Sequence, residues 1–137
     1  MNHKLSHLIE LIDKLPHEQA KLLLSKVMKE NPLVGFQIIT RQYGFTDLRY
    51  ANEQGISELV AAIPKETLIC ALNGSDDHLV RRFVNGLLPA EATAFIDTLY
   101  NARASDGAIK NAQKQVLVKA FLLQRKGRLM INRPNLT

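Results

Sequence analysis

From one end of this chain to the other, apolar residues return every three or four positions, and nowhere do they alternate at every second position. That rhythm suits helices that each bury one stripe, and it leaves no material for a sheet. An all-α class follows, with less than about one-tenth strand.

Leu5, Leu8, Ile9, Ile12 and Leu15 write a first helix. Pro16 ends it and opens a second, running to about Glu30, where a first-turn proline loses no hydrogen bond. Ala20, Leu23, Leu24, Val27 and Met28 turn inward there. Asn31-Pro32 caps a third helix to about Arg41, expected to bury Phe36, Ile38 and Ile39. Short helices joined by tight turns suggest an armadillo-like stack. Gln42–Tyr50 then reads as a connector, with Tyr43 and Phe45 as packing aromatics and Gly44 free to take backbone angles that other residues resist. A boundary between two subdomains is expected at this point.

Helix signals resume beyond it. Asn52 caps a helix carrying Ile56, Leu59 and Val60, and Pro64-Lys65-Glu66 starts another that Gly74 terminates. Ser75 is the expected cap of the next helix, with Asp76 and Asp77 at its positive end and Leu79, Val80, Phe83 and Val84 inside. Pro89 begins a helix with Ala92, Phe95, Ile96 and Leu99 on one side. Ser105-Asp106 caps the longest helix, whose stripe is Ile109, Ala112, Val116, Ala120 and Leu123, and Gly127 closes it. Leu129-Met130-Ile131 reads as one short extended segment, too isolated for a sheet.

The sequence offers no catalytic, cofactor or metal constellation. No phosphate-cradling glycine loop, CxxC pair or nucleophile elbow occurs. His3 and His7 could share a helix face, but no third ligand lies nearby in sequence. The single Cys70 lies in an apolar stretch and reads as a small buried hydrophobe. No apolar run reaches the roughly 20 residues of a membrane span. With no signal-peptide pattern at the N-terminus and a lone thiol, a cytoplasmic protein is expected.

The net charge of +5 is unevenly placed. All 13 acidic residues fall before position 107. Beyond it lie Lys110, Lys114, Lys119, Arg125, Lys126, Arg128 and Arg133. Such a basic end could meet an acidic partner or nucleic acid. However, aromatics make up only 6% of the chain and none is interleaved with these bases, so single-stranded nucleic acid would lack a stacking platform. A solvated helix flank is the plainer reading.

One stretch is more specific. Glu66-Thr67-Leu68-Ile69-Cys70-Ala71-Leu72-Asn73-Gly74-Ser75-Asp76-Asp77, with Leu79, Arg82-Phe83 and Ala90–Leu99 after it, resembles the C-terminal domain of the FliG family of flagellar motor switch proteins. Ala112-Gln113, Glu30-Asn31-Pro32 and Gln42–Leu48 fall at matching landmarks, so the resemblance spans roughly residues 10–131.

The resemblance implies an armadillo-like three-helix bundle over 1–42, an aromatic hinge over 43–50, a six-helix domain over 51–131 and a tail over 132–137. It implies a fragment or a stand-alone relative of the family. The expected partners are other protein subunits, among them flagellar switch components, with self-association through armadillo-like stacking. The expected place is the cytoplasmic face of a membrane-anchored complex. Tyr43, Gly44, Phe45, Asn73, Ala90, Asp97 and Thr98 are the implied partner-binding positions.

In that family torque comes from alternating charges on a ridge helix that meets the stator. At the corresponding places this sequence carries Asn73, Pro89-Ala90, Ile96-Asp97-Thr98 and Ser105, of which only Asp97 is charged. Fold and protein docking are thus implied without the charged ridge. The competing reading is a free-standing adaptor or regulator outside the flagellum, touching nucleic acid through its basic C-terminal helix.

Overall fold

The computed structural model describes residues 2–40 and 44–132, the first four of them as backbone. It divides into two compact units, Met1–Gly44 and Phe45–Thr137. The only strand-like feature among the described residues is a single antiparallel bridge between Ala51 and Ile131.

The first unit holds α1 (Asn2–Lys14), α2 (His17–Glu30) and α3 (Pro32–Thr40). Pro16 occupies the position just before α2, where its carbonyl accepts from the Ala20 N–H at 2.9 Å. Between α2 and α3 the Asn31 carbonyl accepts from the Gly35 N–H at 3.1 Å, and Pro32 is the first residue of α3. Ile12, Ala20, Leu24, Ile38 and Ile39 form the core. Phe36, expected to be buried, is only half-buried, while its neighbour Gly35 is buried close against Met28.

The second unit begins with a 3-10 helix, Phe45–Tyr50, followed by α4 (Glu53–Ala62), α5 (Lys65–Leu72), α6 (Asp77–Val84), α7 (Pro89–Asn101) and α8 (Asp106–Arg125). Phe45 and Leu48 of the 3-10 helix are buried, and the Phe45 ring stacks on Phe83 with centroids 6.3 Å apart. Much of the stretch read as a connector is therefore ordered and contributes to the core. The long α8 packs chiefly on α5, burying Ala112, Val116, Leu117, Ala120, Phe121 and Leu123. Gly74 and Gly127 both take positive φ, +82° and +75°, at the ends of α5 and α8. There a side chain would be strained.

Three local expectations are not met. Asn52 is the N-cap residue of α4, but its side chain makes no capping bond to the helix. Its carboxamide accepts from the Met130 N–H at 2.8 Å and donates to the Arg128 carbonyl at 3.3 Å. With Asn52 N–H to Met130 O (3.0 Å) and Asn132 N–H to Tyr50 O (2.9 Å), these bonds strap the C-terminal segment across the start of the unit and bury Leu129 completely. The cap of α6 is Asp76, not Ser75: its carboxylate accepts from the Leu79 N–H at 2.9 Å. Cys70 is half-buried rather than enclosed.

Candidate protein-docking surface

α7 turns Phe95 and Leu99 inward and leaves the opposite face in solvent. Ala90 and Asp97 are seven residues apart, so at about 100° per residue they share that outer face, roughly 10 Å apart along the axis. Ala94 lies between them, and Thr93, Thr98 and Asn101 flank the stripe, all exposed. The flanking polar groups bond back to their own helix. Thr93 and Thr98 hydroxyls donate to the carbonyls of Pro89 and Ala94 at 3.3 and 2.9 Å, and the Asn101 amide donates to the Asp97 carbonyl at 2.9 Å. Large apolar groups stand at both ends: Leu88 is 69% exposed and Tyr100 70%. Sequence reasoning missed these two. Tyr100 lies about 140° around the helix from Phe95, outside the inward arc, which could have revealed it.

The charges near this face are mostly committed elsewhere. Glu91 pairs with Lys65 at 3.6 Å. The Arg103 guanidinium donates to the carbonyls of Ala102 (2.9 Å) and Tyr100 (3.4 Å). Asp97 is the exposed charge on the outer stripe. Ile96, read from the sequence as sharing a side of the helix with Phe95 and Leu99, is half-buried.

Asn73 is turned inward to the same region. Its amide donates to the Ala102 carbonyl at 3.2 Å, and its oxygen accepts from the Ala104 N–H at 3.3 Å. It pins the loop between α7 and α8, so a lysine here would release two hydrogen bonds. Of the connector positions, Phe45 is buried and Gly44 half-buried, while Tyr43 lies outside the described residues.

The basic positions do not gather on one face of α8. Lys110 and Lys114 are neighbours in solvent, but Lys119 is nine residues from Lys110, about half a turn round. Arg125 is half-buried, Lys126 is exposed just beyond the helix, and Arg128 pairs with Glu58 at 2.9 Å. Arg133 lies outside the described residues. Among the described residues, the carboxyl held clearly below its ordinary range is that of Asp76, chiefly by the Leu79 N–H and further by Arg49, 2.6 Å away. Among the described residues no group of three His, Cys, Asp or Glu side chains could hold a metal ion. The His3–His7 pair falls partly outside the described side chains. No helix among the described residues is long and apolar enough to cross a membrane.

The fold and this surface define an all-helical module built on packed amphipathic helices. The family model for the FliG C-terminal domain matches residues 25–131, and the chain belongs to that family. It is similar to the flagellar motor switch protein FliG of Aquifex aeolicus, 27% identical over 109 residues covering 79% of this chain and 33% of the relative. The same protein from Thermotoga maritima is 22% identical over 125 residues, covering 90% of this chain and 37% of the relative. The chain thus spans about a third of the length of these curated relatives. Solved structures agree on the fold. Full-length FliG from Aquifex aeolicus superimposes with a TM-score of 0.64 at 24% identity, covering 91% of this chain and 39% of that one. Residues 116–343 of FliG from H. pylori give 0.64 at 22% identity, covering 90% and 55%.

Proposed function

We propose that this chain is a non-enzymatic docking module of the motor-switch type, which presents the outer face of α7 to a partner protein by shape and apolar contact rather than by alternating charge. The supporting observation is the makeup of that face: Asp97 is its exposed charge, Glu91 is engaged with Lys65, and Arg103 is turned onto its own loop. Exposed ion pairs are each worth about 0–1 kcal/mol, so an electrostatic interface needs several in register. Leu88 and Tyr100 supply contact area in their place. Such a module works at the cytoplasmic face of a membrane-anchored complex.

The test is to splice residues 51–131 into the switch protein of a flagellated host and score swimming. Assembled but paralysed flagella are expected, and restored rotation would defeat the reading. Restoring charge at the exposed positions, with Ala90→Arg and Thr98→Asp, should then recover part of the rotation. Asn73 and Ile96 suit that rescue less well, because one pins a loop and the other is half-buried.

A regulator that contacts nucleic acid through α8 is the second reading, favoured by the acid-free C-terminal stretch. The spread of Lys110 and Lys119 to opposite sides of α8 weighs against it. A steep fall of DNA affinity with salt would support it, since each neutralised phosphate adds to that slope.

A further inference from the structure

Helix α4 and the end of α6 leave a cleft of about 160 Å³, lined by Glu53, Ile56 and Ser57 on one side and Arg82, Asn85 and Gly86 on the other. Spacings of three and four place each trio on one face of its backbone. Ile56, only 2% exposed, gives the cleft an apolar floor. Gly86 keeps it open, since a Cβ there would stand 3.4 Å from Val60 Cγ2 and 3.7 Å from Ile56 Cγ2.

Polar side chains line the cleft around this floor. The side chains of Glu53, Ser57 and Asn85 make no hydrogen bond among the described residues. One Nη of Arg82 donates to the Ala51 carbonyl, which anchors the guanidinium, while its Nε is buried without a partner. A concave site with an apolar base and a few convergent polar groups is the usual form of a recognition pocket. This one has room for a single side chain.

We propose that the cleft receives the carboxamide of an asparagine or glutamine side chain presented by a partner protein. The argument is one of charge complementarity. One guanidinium and one carboxylate leave the cleft neutral, so an anion would gain Arg82 but oppose Glu53, and a cation would do the reverse. A primary carboxamide carries an acceptor oxygen and two N–H donors on one planar group. It satisfies the guanidinium and the carboxylate together, and Ser57 and Asn85 can donate or accept as the pose requires. α7 contributes no residue to the cleft, so this docking point stands independently of the reading given to that helix.

The test uses the isotope-labelled full chain and blocked tripeptides, acetyl-Ala-X-Ala-amide, with X as Gln, Asn, Glu, Lys or Leu. The Gln or Asn peptide should move the amide resonances of Glu53–Ser57 and Arg82–Gly86 in a saturable way. The Glu, Lys and Leu peptides should bind at least about tenfold more weakly, the worth of one hydrogen bond to a charged group. Ser57→Trp, a change at an exposed position in the cleft wall, should abolish the response while the remaining spectrum stays folded. Glu53→Gln removes the negative charge and should shift the preference toward the Glu peptide. The proposal fails if no peptide saturates, if Glu matches Gln on the unaltered chain, or if Glu53→Gln leaves the order of preference unchanged.

Discussion

The three-helix unit and the larger second unit use the same amphipathic helices, but they enclose very different interiors. In the first, the buried residues among those described are small or aliphatic (Ile12, Ala20, Leu24, Ile38 and Ile39), while Leu22 and Leu33 stand 70% and 65% exposed. The second buries Phe45, Phe83, Phe95 and Phe121 around the long α8 and closes with a strap that hides Leu129. Fewer helices enclose less volume per unit surface, and a segment of some 40 residues is near the lower limit for one self-sufficient core. Residues 45–137 by themselves are therefore expected to unfold in one cooperative thermal transition, and residues 1–44 to show none. A cooperative melt of the short fragment would break the comparison.

Within the intact chain the same contrast should appear as a graded cost. Phe83→Ala removes a ring that is 1% exposed and stacked on Phe45, and Phe95→Ala one that is 4% exposed. Each should cost on the order of 3–5 kcal/mol in denaturant unfolding, and Leu24→Ala in the first unit about 2 kcal/mol. Costs near zero for the two phenylalanines would mean that these helix faces are wrongly placed.

Two glycines sharpen the difference further. A Cβ at Gly55 would lie 2.9 Å from Leu129 Cα and 2.7 Å from Asn52 Oδ1, the atoms that hold the C-terminal strap. Gly55→Ala should thus cost about 1–3 kcal/mol, the usual range for overpacking. At Gly35 the nearest obstacle is Met28 Sδ at 2.2 Å, close to the end of a flexible side chain. Some of its displacement is offset by the roughly 1 kcal/mol helix preference of alanine over glycine, so Gly35→Ala should fall within about 1 kcal/mol of neutral. Equal losses at the two sites would show that the first unit is as tightly constrained as the second.

What could be read from the sequence follows the range of the interactions. Helix faces repeat locally, so Leu24, Phe83, Phe95 and Val116 were visible from periodicity, and the glycine stops at Gly74 and Gly127 from backbone preference alone. Asn52 and Asn73 were not, because each is bonded to backbone that lies far away in the chain, at 128–130 and 102–104. Local rules offer both as helix-end residues and say nothing of such partners. Asp76 rather than Ser75 caps α6 because a one-residue shift in the start of a helix decides which side chain meets the free N–H groups. On the docking face, Ala90, Asp97 and Thr98 came from the family resemblance, and the roles of Glu91 and Arg103 became clear only when their partners at Lys65 and Ala102 were placed.

The smallest expected effect concerns how helices begin in the two units. α2 starts after Pro16 with no side-chain cap, whereas α6 starts on the Asp76 carboxylate. That carboxyl lies below its ordinary value of 3.8, first because the Leu79 N–H bonds the charged form and then because Arg49 sits beside it. Above 3.8 the group is ionised in both folded and unfolded chains, and its full contribution to stability is present. As the pH falls below that value the unfolded chain takes up the proton first, so stability declines until the folded group is protonated as well. Asp76→Asn keeps an oxygen for the Leu79 N–H, since asparagine is also a good cap, but removes the titration. The difference in stability between the two proteins should thus be constant at neutral pH and shrink with acidification below 3.8. Added salt should weaken the Arg49 part of that difference, because the carboxylate is half exposed, and leave the Leu79 part intact. If salt removed the pH dependence altogether, the guanidinium rather than the helix N-terminus would hold the charge in place.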